Sequence, residues 1–370
     1  MVSTLGGYGM QTSWTLPFCV TLVVMMGSAW SDVGSAQNAA KKGTVERIKI
    51  HGPSLEGNLA NEPASPEVTV YLPPSYAAER SRRYPVVYLL HGYTGTDSTW
   101  TGRLANLPES ADKLAATGAA RELIVVMPNA FNVYAGSMYS NSVTTGNWEG
   151  YIADDLVAYV DKTYRTIPER NSRGLAGHSM GGYGTIRIGM KRPDVFSSVY
   201  LMSACCLTAN ISPRSEAMAA SERLRTREDV QNAIQAGRGG FGLVMLAQAA
   251  AWSPNPANPP LYFDLPVKNG EIQPAIIAKW AANAPLAMLD QYVPSLKRLN
   301  ALAIDIGDKD GLIGSNRELD EALTRFGVAH TFEVYDGDHV NKVGERVEQK
   351  VLPFFATKLS HTASRSGATR

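Results

Sequence analysis

The sequence predicts an α/β fold, a mostly parallel central sheet flanked by helices with an inserted helical cap. Three observations predict it. Continuous apolar runs at residues 86–90, 123–127, 174–177, 199–202, 301–306 and 331–335 have the composition of strands buried on both faces. Segments with a 3.6-residue apolar period separate several of them, as expected for crossover helices. The 370 residues are 44% hydrophobic and 19% charged, enough apolar material to bury a sizeable core without disulfide staples. With 35 Lys and Arg against 34 Asp and Glu, no net field selects nucleic acid or an anionic membrane. The expected partner is a small molecule or carbohydrate.

From the N-terminus, residues 14–30 form an uncharged apolar run followed by Gly34-Ser35-Ala36, the pattern of a signal peptide spanning residues 1–36. Its first residues lack the usual Lys or Arg. The run is broken by Pro17 and Gly27 and is shorter than the ~20 residues of a bilayer span, so no stable membrane insertion is expected once the leader is removed. A secreted or periplasmic protein follows. Residues 37–44 are polar and expected to be flexible, and a folded domain is expected over 45–358 with a flexible tail over 359–370. Residues 47–51 and 68–72 carry β-branched residues, the second run stopping at Pro73-Pro74, and predict antiparallel edge strands.

Ile152, Leu156, Val160 and Tyr164 recur every four residues and predict a helix with a core-facing stripe. Ser315-Asn-Arg-Glu318 has the spacing of a capping box opening a helix through Leu319, Leu323 and Phe326, and Gly327 closes it. Residues 204–300 show helical patterns at 223–248 and 272–282 around a proline-rich stretch at 254–266, with no strand pattern, and predict the cap. Cys19 leaves with the leader. Cys205 and Cys206 are adjacent, with Cα atoms ~3.8 Å apart against a usual lower limit of ~4.4 Å for a disulfide, so two packing residues are expected, a vicinal disulfide or reactive thiol being the alternative.

The sharpest chemical signal is Gly177-His178-Ser179-Met180-Gly181, placed after an apolar strand and before a helical run. A strand that turns into a helix within a residue or two strains its central residue and exposes that side chain, and it needs residues without bulk two places to either side. Ser179 is then the candidate nucleophile. A serine hydroxyl needs a base. Of six histidines, His339 stands just beyond the C-terminal end of the last strand run, on the edge where open α/β sheets build sites. The acid is expected after a strand between the two, where Asp305, Asp308 and Asp310 compete; Asp310 is preferred because it sits in the loop beyond Gly307 rather than within the strand. These aspartates lack the alternate ligands and the glycine of a calcium loop, and no cluster has zinc spacing, so no metal and no cofactor is expected. Two N–H donors for an oxyanion are expected from Met180 and, in the His91-Gly92-Tyr93 loop, from Tyr93. Trp100, Tyr134, Tyr139 and Trp148 lie on loops expected to face the site, with Tyr139 and Trp148 as candidate substrate contacts.

Val86-Val-Tyr-Leu-Leu-His-Gly92, the Gly-His-Ser-Met-Gly-Gly elbow, Gly307-x-x-Asp310 and Gly337-x-His339 together resemble the putative-esterase family, which includes esterase D, feruloyl and acetylxylan esterases and the antigen 85 mycolyltransferases. Trp148-Glu-Gly-Tyr151 is similar to that family as well. The resemblance spans residues 45–358. It implies an α/β-hydrolase fold with a serine triad at Ser179, Asp310 and His339 and oxyanion amides at Tyr93 and Met180. Residues 204–300 are longer than in the smaller members, and His91 stands where the antigen 85 pattern has aspartate. The expected activity is hydrolysis of aryl or sugar esters of feruloyl or acetyl type; acyl transfer to a sugar hydroxyl is the alternative.

Overall fold

The computed structural model describes residues 42–102, 104–209, 211–237 and 243–363. The leader expected over 1–36 lies outside the described residues. The described residues form one compact unit. Its frame is an eight-stranded sheet: β1 Thr44–Lys49, β2 Glu67–Leu72, β3 Val86–Leu90, β4 Ile124–Pro128, β5 Arg173–His178, β6 Ser198–Met202, β7 Ala301–Gly307 and β8 Thr331–Tyr335. The spatial order is β1-β2-β4-β3-β5-β6-β7-β8. β2 is antiparallel to both β1 and β4, and every later pairing is parallel. The strand expected at 68–72 is therefore interior; of the two expected edge strands only β1 lies at an edge, β8 holding the other, and β1 begins at Thr44, inside the segment expected to be flexible.

Period-two geometry distributes the apolar runs. Along β3, Val86, Tyr88 and Leu90 join the apolar cluster on one face, and Val87 and Leu89 join the cluster on the other. A strand with both faces covered must be apolar at every position, and all five residues of β3 and of β4 are buried. The connections run from β3 to β4 on one side and from β4 across to β5 on the other, so the order reverses at β3. At that reversal the loops leaving neighbouring strands diverge and open a crevice at their C-terminal ends.

Helices α1 Leu107–Thr117, α2 Leu156–Thr163 and α3 Met180–Lys191 cover the sheet. The predicted stripe holds: Ile152, Leu156 and Val160 are wholly buried, with a π-helical turn at Tyr151–Asp155 leading into α2. The inserted stretch contributes α4 Glu216–Arg223, α5 Arg227–Gln235, α6 Val244–Trp252, α7 Pro274–Ala281 and α8 Pro285–Leu296. It also contains strands, contrary to expectation: Val267–Lys268 pairs with Glu271–Ile272 around Asn269 and Gly270, both at positive φ (54° and 74°), the backbone of an Asn-Gly hairpin turn. Leu246, Ala250 and Trp252 of α6 belong to the same cluster as β3, and Trp252 lies 5.4 Å centroid to centroid from both Tyr183 of α3 and Trp280 of α7.

Helix α9 runs Ile313–Arg325. The expected capping box is not its start. Asp310 Oδ1 accepts from the Leu312 amide (2.9 Å) and the helix opens three residues early, with Ser315 inside the first turn and its hydroxyl donating to Leu312 O. Gly327 ends it at φ 62°. The fold closes with α10 Val343–Arg346 and α11 Leu352–Lys358. The tail expected from 359 is anchored at its start, since Leu359 is buried and the Ser360 amide donates to Asn171 O (2.8 Å).

Two glycines give opposite expectations. A Cβ on Gly181 would stand 2.1 Å from Leu90 O, whereas one on Gly314, in the first turn of α9, meets nothing within 4 Å. Gly314→Ala should stabilise by about 0.5–1 kcal/mol through the unfolded chain, and Gly181→Ala should cost about 3 kcal/mol or more. Thermal or denaturant unfolding of the two variants checks both signs.

Candidate active site

The candidate triad and oxyanion residues leave the C-terminal ends of parallel strands in one half of the sheet: Tyr93 from β3, Ser179 and Met180 from β5, Asp310 from β7 and His339 from β8. Ser179 sits at φ 56°, ψ −114°, a conformation that costs a non-glycine residue of order 1–3 kcal/mol and persists only where the surroundings impose it. The surroundings here are backbone. The Ser179 amide donates to Met202 O (2.9 Å), and Ser179 O accepts from the amides of Tyr183 (3.0 Å) and Cys205 (3.1 Å). A Cβ on Gly177 would stand 2.3 Å from the Gly181 carbonyl carbon, so strand and helix cross where both lack side chains.

Ser179 Oγ lies 3.0 Å from His339 Nε2, and His339 Nδ1 lies 2.7 Å from Asp310 Oδ2. With Asp310 ionised, Nδ1 must carry the imidazole proton, and Nε2 accepts from the serine hydroxyl. Burial alone would raise the Asp310 carboxyl, but the His339 bond and the Leu312 amide outweigh it and hold the group below its usual range. The Asp310 side chain is 1% exposed and that of His339 15%.

The competing acids have other partners. Asp305 is buried within β7, accepting from Arg346 Nε and Tyr200 OH at 2.8 Å each, an internal ion pair. Asp308 accepts from the Gly337 amide (3.0 Å) and so ties the β7 loop to the loop that carries His339.

Two histidines that the sequence reading set aside also touch the site. His178 Nε2–H donates to the carbonyl oxygen of His339 (2.7 Å), and its ring lies 4.7 Å from the His339 ring. Burial, with His339 beside it, drops its pKa to about 3, so it is neutral at ordinary pH. His91 is fully buried beneath the loop that carries Tyr93. No acceptor among the described residues takes the backbone N–H of Tyr93 or of Met180. Gly92 brings the loop close to the nucleophile, a Cβ there falling 3.3 Å from Ser179 Cβ.

Tyr139 and Trp148, the expected substrate contacts, are both buried, with their polar atoms bonded to the backbone. Tyr139 is wholly buried with its hydroxyl donating to His91 O (3.0 Å), and Trp148 is 4% exposed with Nε1–H donating to Thr145 O (2.9 Å). Trp100 and Tyr134 are likewise buried. Beside Trp148, Glu149 pairs with Arg187 and Lys191 of α3 at 2.6 and 3.0 Å and anchors the helix that begins at the elbow. Cys205 and Cys206 are free thiols; Cys205 is buried behind the nucleophile, and Cys206 is half-buried at φ 60°. Among the described residues no group of three His, Cys, Asp or Glu could hold a metal, and no helix is long and apolar enough to cross a membrane.

A strained serine, an imidazole and a buried carboxylate at the C-terminal edge of a doubly covered sheet are the arrangement of an α/β-hydrolase. The family model described as putative esterase matches residues 63–343, and the chain belongs to that family. It is similar to an endo-1,4-beta-xylanase/feruloyl esterase of Xylanibacter ruminicola, 32% identical over 36% of this chain and 19% of that one. An esterase of Mycobacterium tuberculosis is 35% identical over 36% of this chain and 28% of its own. The matches thus span under a third of these two relatives. A solved ferulic acid esterase superposes with a TM-score of 0.59 at 25% identity, covering 85% of this chain and 98% of its own.

The two loop aspartates separate by substitution. Asp310→Asn removes the charge facing His339 and should lower kcat by about 10²–10⁴-fold. Asp308→Asn keeps a carbonyl oxygen for the Gly337 amide and should cost less than about tenfold. Steady-state hydrolysis of a p-nitrophenyl ester compares them; equal losses would move the acid.

Proposed function

We propose that the chain is an exported serine esterase that hydrolyses carboxylic esters through an acyl-enzyme on Ser179. The observation that carries the reading is the continuous hydrogen-bonded line Asp310–His339–Ser179, 2.7 and 3.0 Å long, ending on a serine held in strained backbone. His339 Nε2 takes the hydroxyl proton as Ser179 Oγ attacks the ester carbonyl. The resulting oxyanion accepts hydrogen bonds from the Tyr93 and Met180 amides, whose N–H groups have no acceptor among the described residues to give up. Imidazolium forms against the Asp310 carboxylate, then returns the proton to the leaving alkoxide. Water, activated by the same imidazole, releases the acid and restores the serine.

Aryl or sugar esters of feruloyl or acetyl type are the proposed substrates. Similarity to proteins named as feruloyl esterases supports that class, and Val340, about half exposed, offers apolar surface one residue beyond His339. The apolar N-terminal run supports export.

Ser179→Ala should lower kcat by three or more orders of magnitude while unfolding at nearly the wild-type temperature, because a small side chain with one polar contact is removed. Wild type and variant are compared on p-nitrophenyl esters of rising chain length, methyl ferulate and acetylated xylan, with products analysed with and without a sugar acceptor. An active alanine variant would overturn the mechanism. Acyl sugar in place of free acid would make the enzyme a transferase.

A further inference from the structure

The loop after β3 is held by a side chain with no part in the proton relay. His91 is fully buried, and both of its ring nitrogens are engaged: the Ala130 amide donates to Nε2 (2.8 Å), and Nδ1 lies 2.8 Å from Gly92 O. An amide N–H can only donate, so Nε2 must keep its lone pair. The single proton of the neutral ring is therefore on Nδ1 and points at the Gly92 carbonyl. Burial drops the ring's pKa to about 4, so this tautomer persists at neutral pH.

Gly92 C=O and Tyr93 N–H are two ends of one peptide unit. The unit is planar and trans, so its oxygen and its amide hydrogen point in opposite directions. A donor that fixes the oxygen also fixes the direction of the N–H, and by drawing charge onto the oxygen it makes the N–H a better donor. The Gly95 amide gives the same oxygen a second bond (3.0 Å), Thr94 N–H is taken by Ala135 O (2.9 Å), and Tyr139 OH holds the preceding carbonyl, that of His91 (3.0 Å). Among the described residues nothing accepts from the Tyr93 N–H.

We propose that His91 is the positioning residue of the oxyanion hole: its Nδ1–H, held in that tautomer by the Ala130 amide, sets the plane of the Gly92–Tyr93 peptide and so aims the Tyr93 N–H at the developing oxyanion. The inference rests on the serine-esterase reading, in which that amide receives the substrate's carbonyl oxygen. It gives His91 a task distinct from that of His178, which bonds the backbone of the base.

Two near-isosteres divide the ring's two bonds. His91→Asn places an amide NH2 where Nδ1–H stands and keeps the donor to Gly92 O. His91→Gln places a carbonyl oxygen where Nε2 stands and keeps only the acceptor for Ala130. His91→Gln should lower kcat about 10- to 100-fold with KM changed less than about threefold, a part of the 10²–10³ that a whole oxyanion donor is worth. His91→Asn should recover most of that loss. Affinity for an alkyl boronic acid, whose tetrahedral adduct occupies the oxyanion position, should fall in the same ratio as kcat. Equal losses in both variants, or a rise in KM with kcat unchanged, would make His91 a packing residue and overturn the proposal. Nitrogen NMR of wild-type protein labelled with 15N-histidine needs no variant to fold: neutral His91 protonated on Nδ1 supports the proposal, and protonation on Nε2 contradicts it. Ser179→Ala assayed beside them separates the two levels. If it stays active the esterase reading fails, whereas an inactive Ser179→Ala beside a fully active His91→Gln defeats the positioning role alone.

Discussion

The close crossing of β3, β5 and α3 is the constraint on which the rest depends. Gly181 faces Leu90 O so closely that a methyl group would lie 2.1 Å away, and Gly177 faces the Gly181 carbonyl carbon with a clearance of only 2.3 Å for the same atom. The crossing lets β5 end against α3 with a single residue between them, and that residue must take the strain. Three backbone hydrogen bonds, to Met202 O and from Tyr183 and Cys205, fix Ser179 in it. The apolar clusters on both sheet faces supply the rigidity that holds the crossing closed, because packed interiors resist sub-ångström adjustment.

From that fixed point the other loops are placed by contacts among themselves. Asp308 ties the β7 loop to the β8 loop through the Gly337 amide, and His178 reaches from the end of β5 to the His339 carbonyl. His91 links the β3 loop to the start of the β4 loop at Ala130. Each of these loops is thus bonded to another, and the proposed nucleophile, base, acid and oxyanion donors are set relative to one another by protein contacts. The inserted helices belong to this frame: α6 brings Trp252 against Tyr183, four residues past the proposed nucleophile, and Trp280 of α7 packs behind Trp252.

Much of this was legible from the sequence, where a local pattern carries the information. Continuous apolar runs identified the interior strands of the parallel half, because burial on both faces imposes a composition visible in four or five residues; β8, at the sheet edge, is only half-buried. The elbow was legible from its glycines, and the preference for Asp310 and His339 followed from their positions beyond strand ends. Contacts between residues distant in the chain were not. Tyr139 and Trp148 have the composition of ligand contacts, but their burial depends on which segments pack over them. The roles of His91 and His178 rest on carbonyls and amides elsewhere in the fold, for which a sequence offers no pattern. The hairpin at Asn269-Gly270 had a readable turn, yet its two-residue strands are too short for periodicity, and α8 carries Pro294 inside it, which obscured the helix. The capping box at Ser315 was a true local pattern overtaken by a nearer one, the Asp310 carboxylate on the Leu312 amide.

The central claim is that Ser179 attacks a carbonyl whose oxygen is received by the Tyr93 and Met180 amides, and a covalent phosphonate adduct tests it in one measurement. After reaction with a p-nitrophenyl alkylphosphonate, peptide mapping and a crystal structure should find phosphorus on Ser179 Oγ, with one phosphonyl oxygen about 2.7–3.1 Å from both amide nitrogens. An adduct on another residue, or one on Ser179 whose oxygen turns away from Tyr93 and Met180, would contradict it.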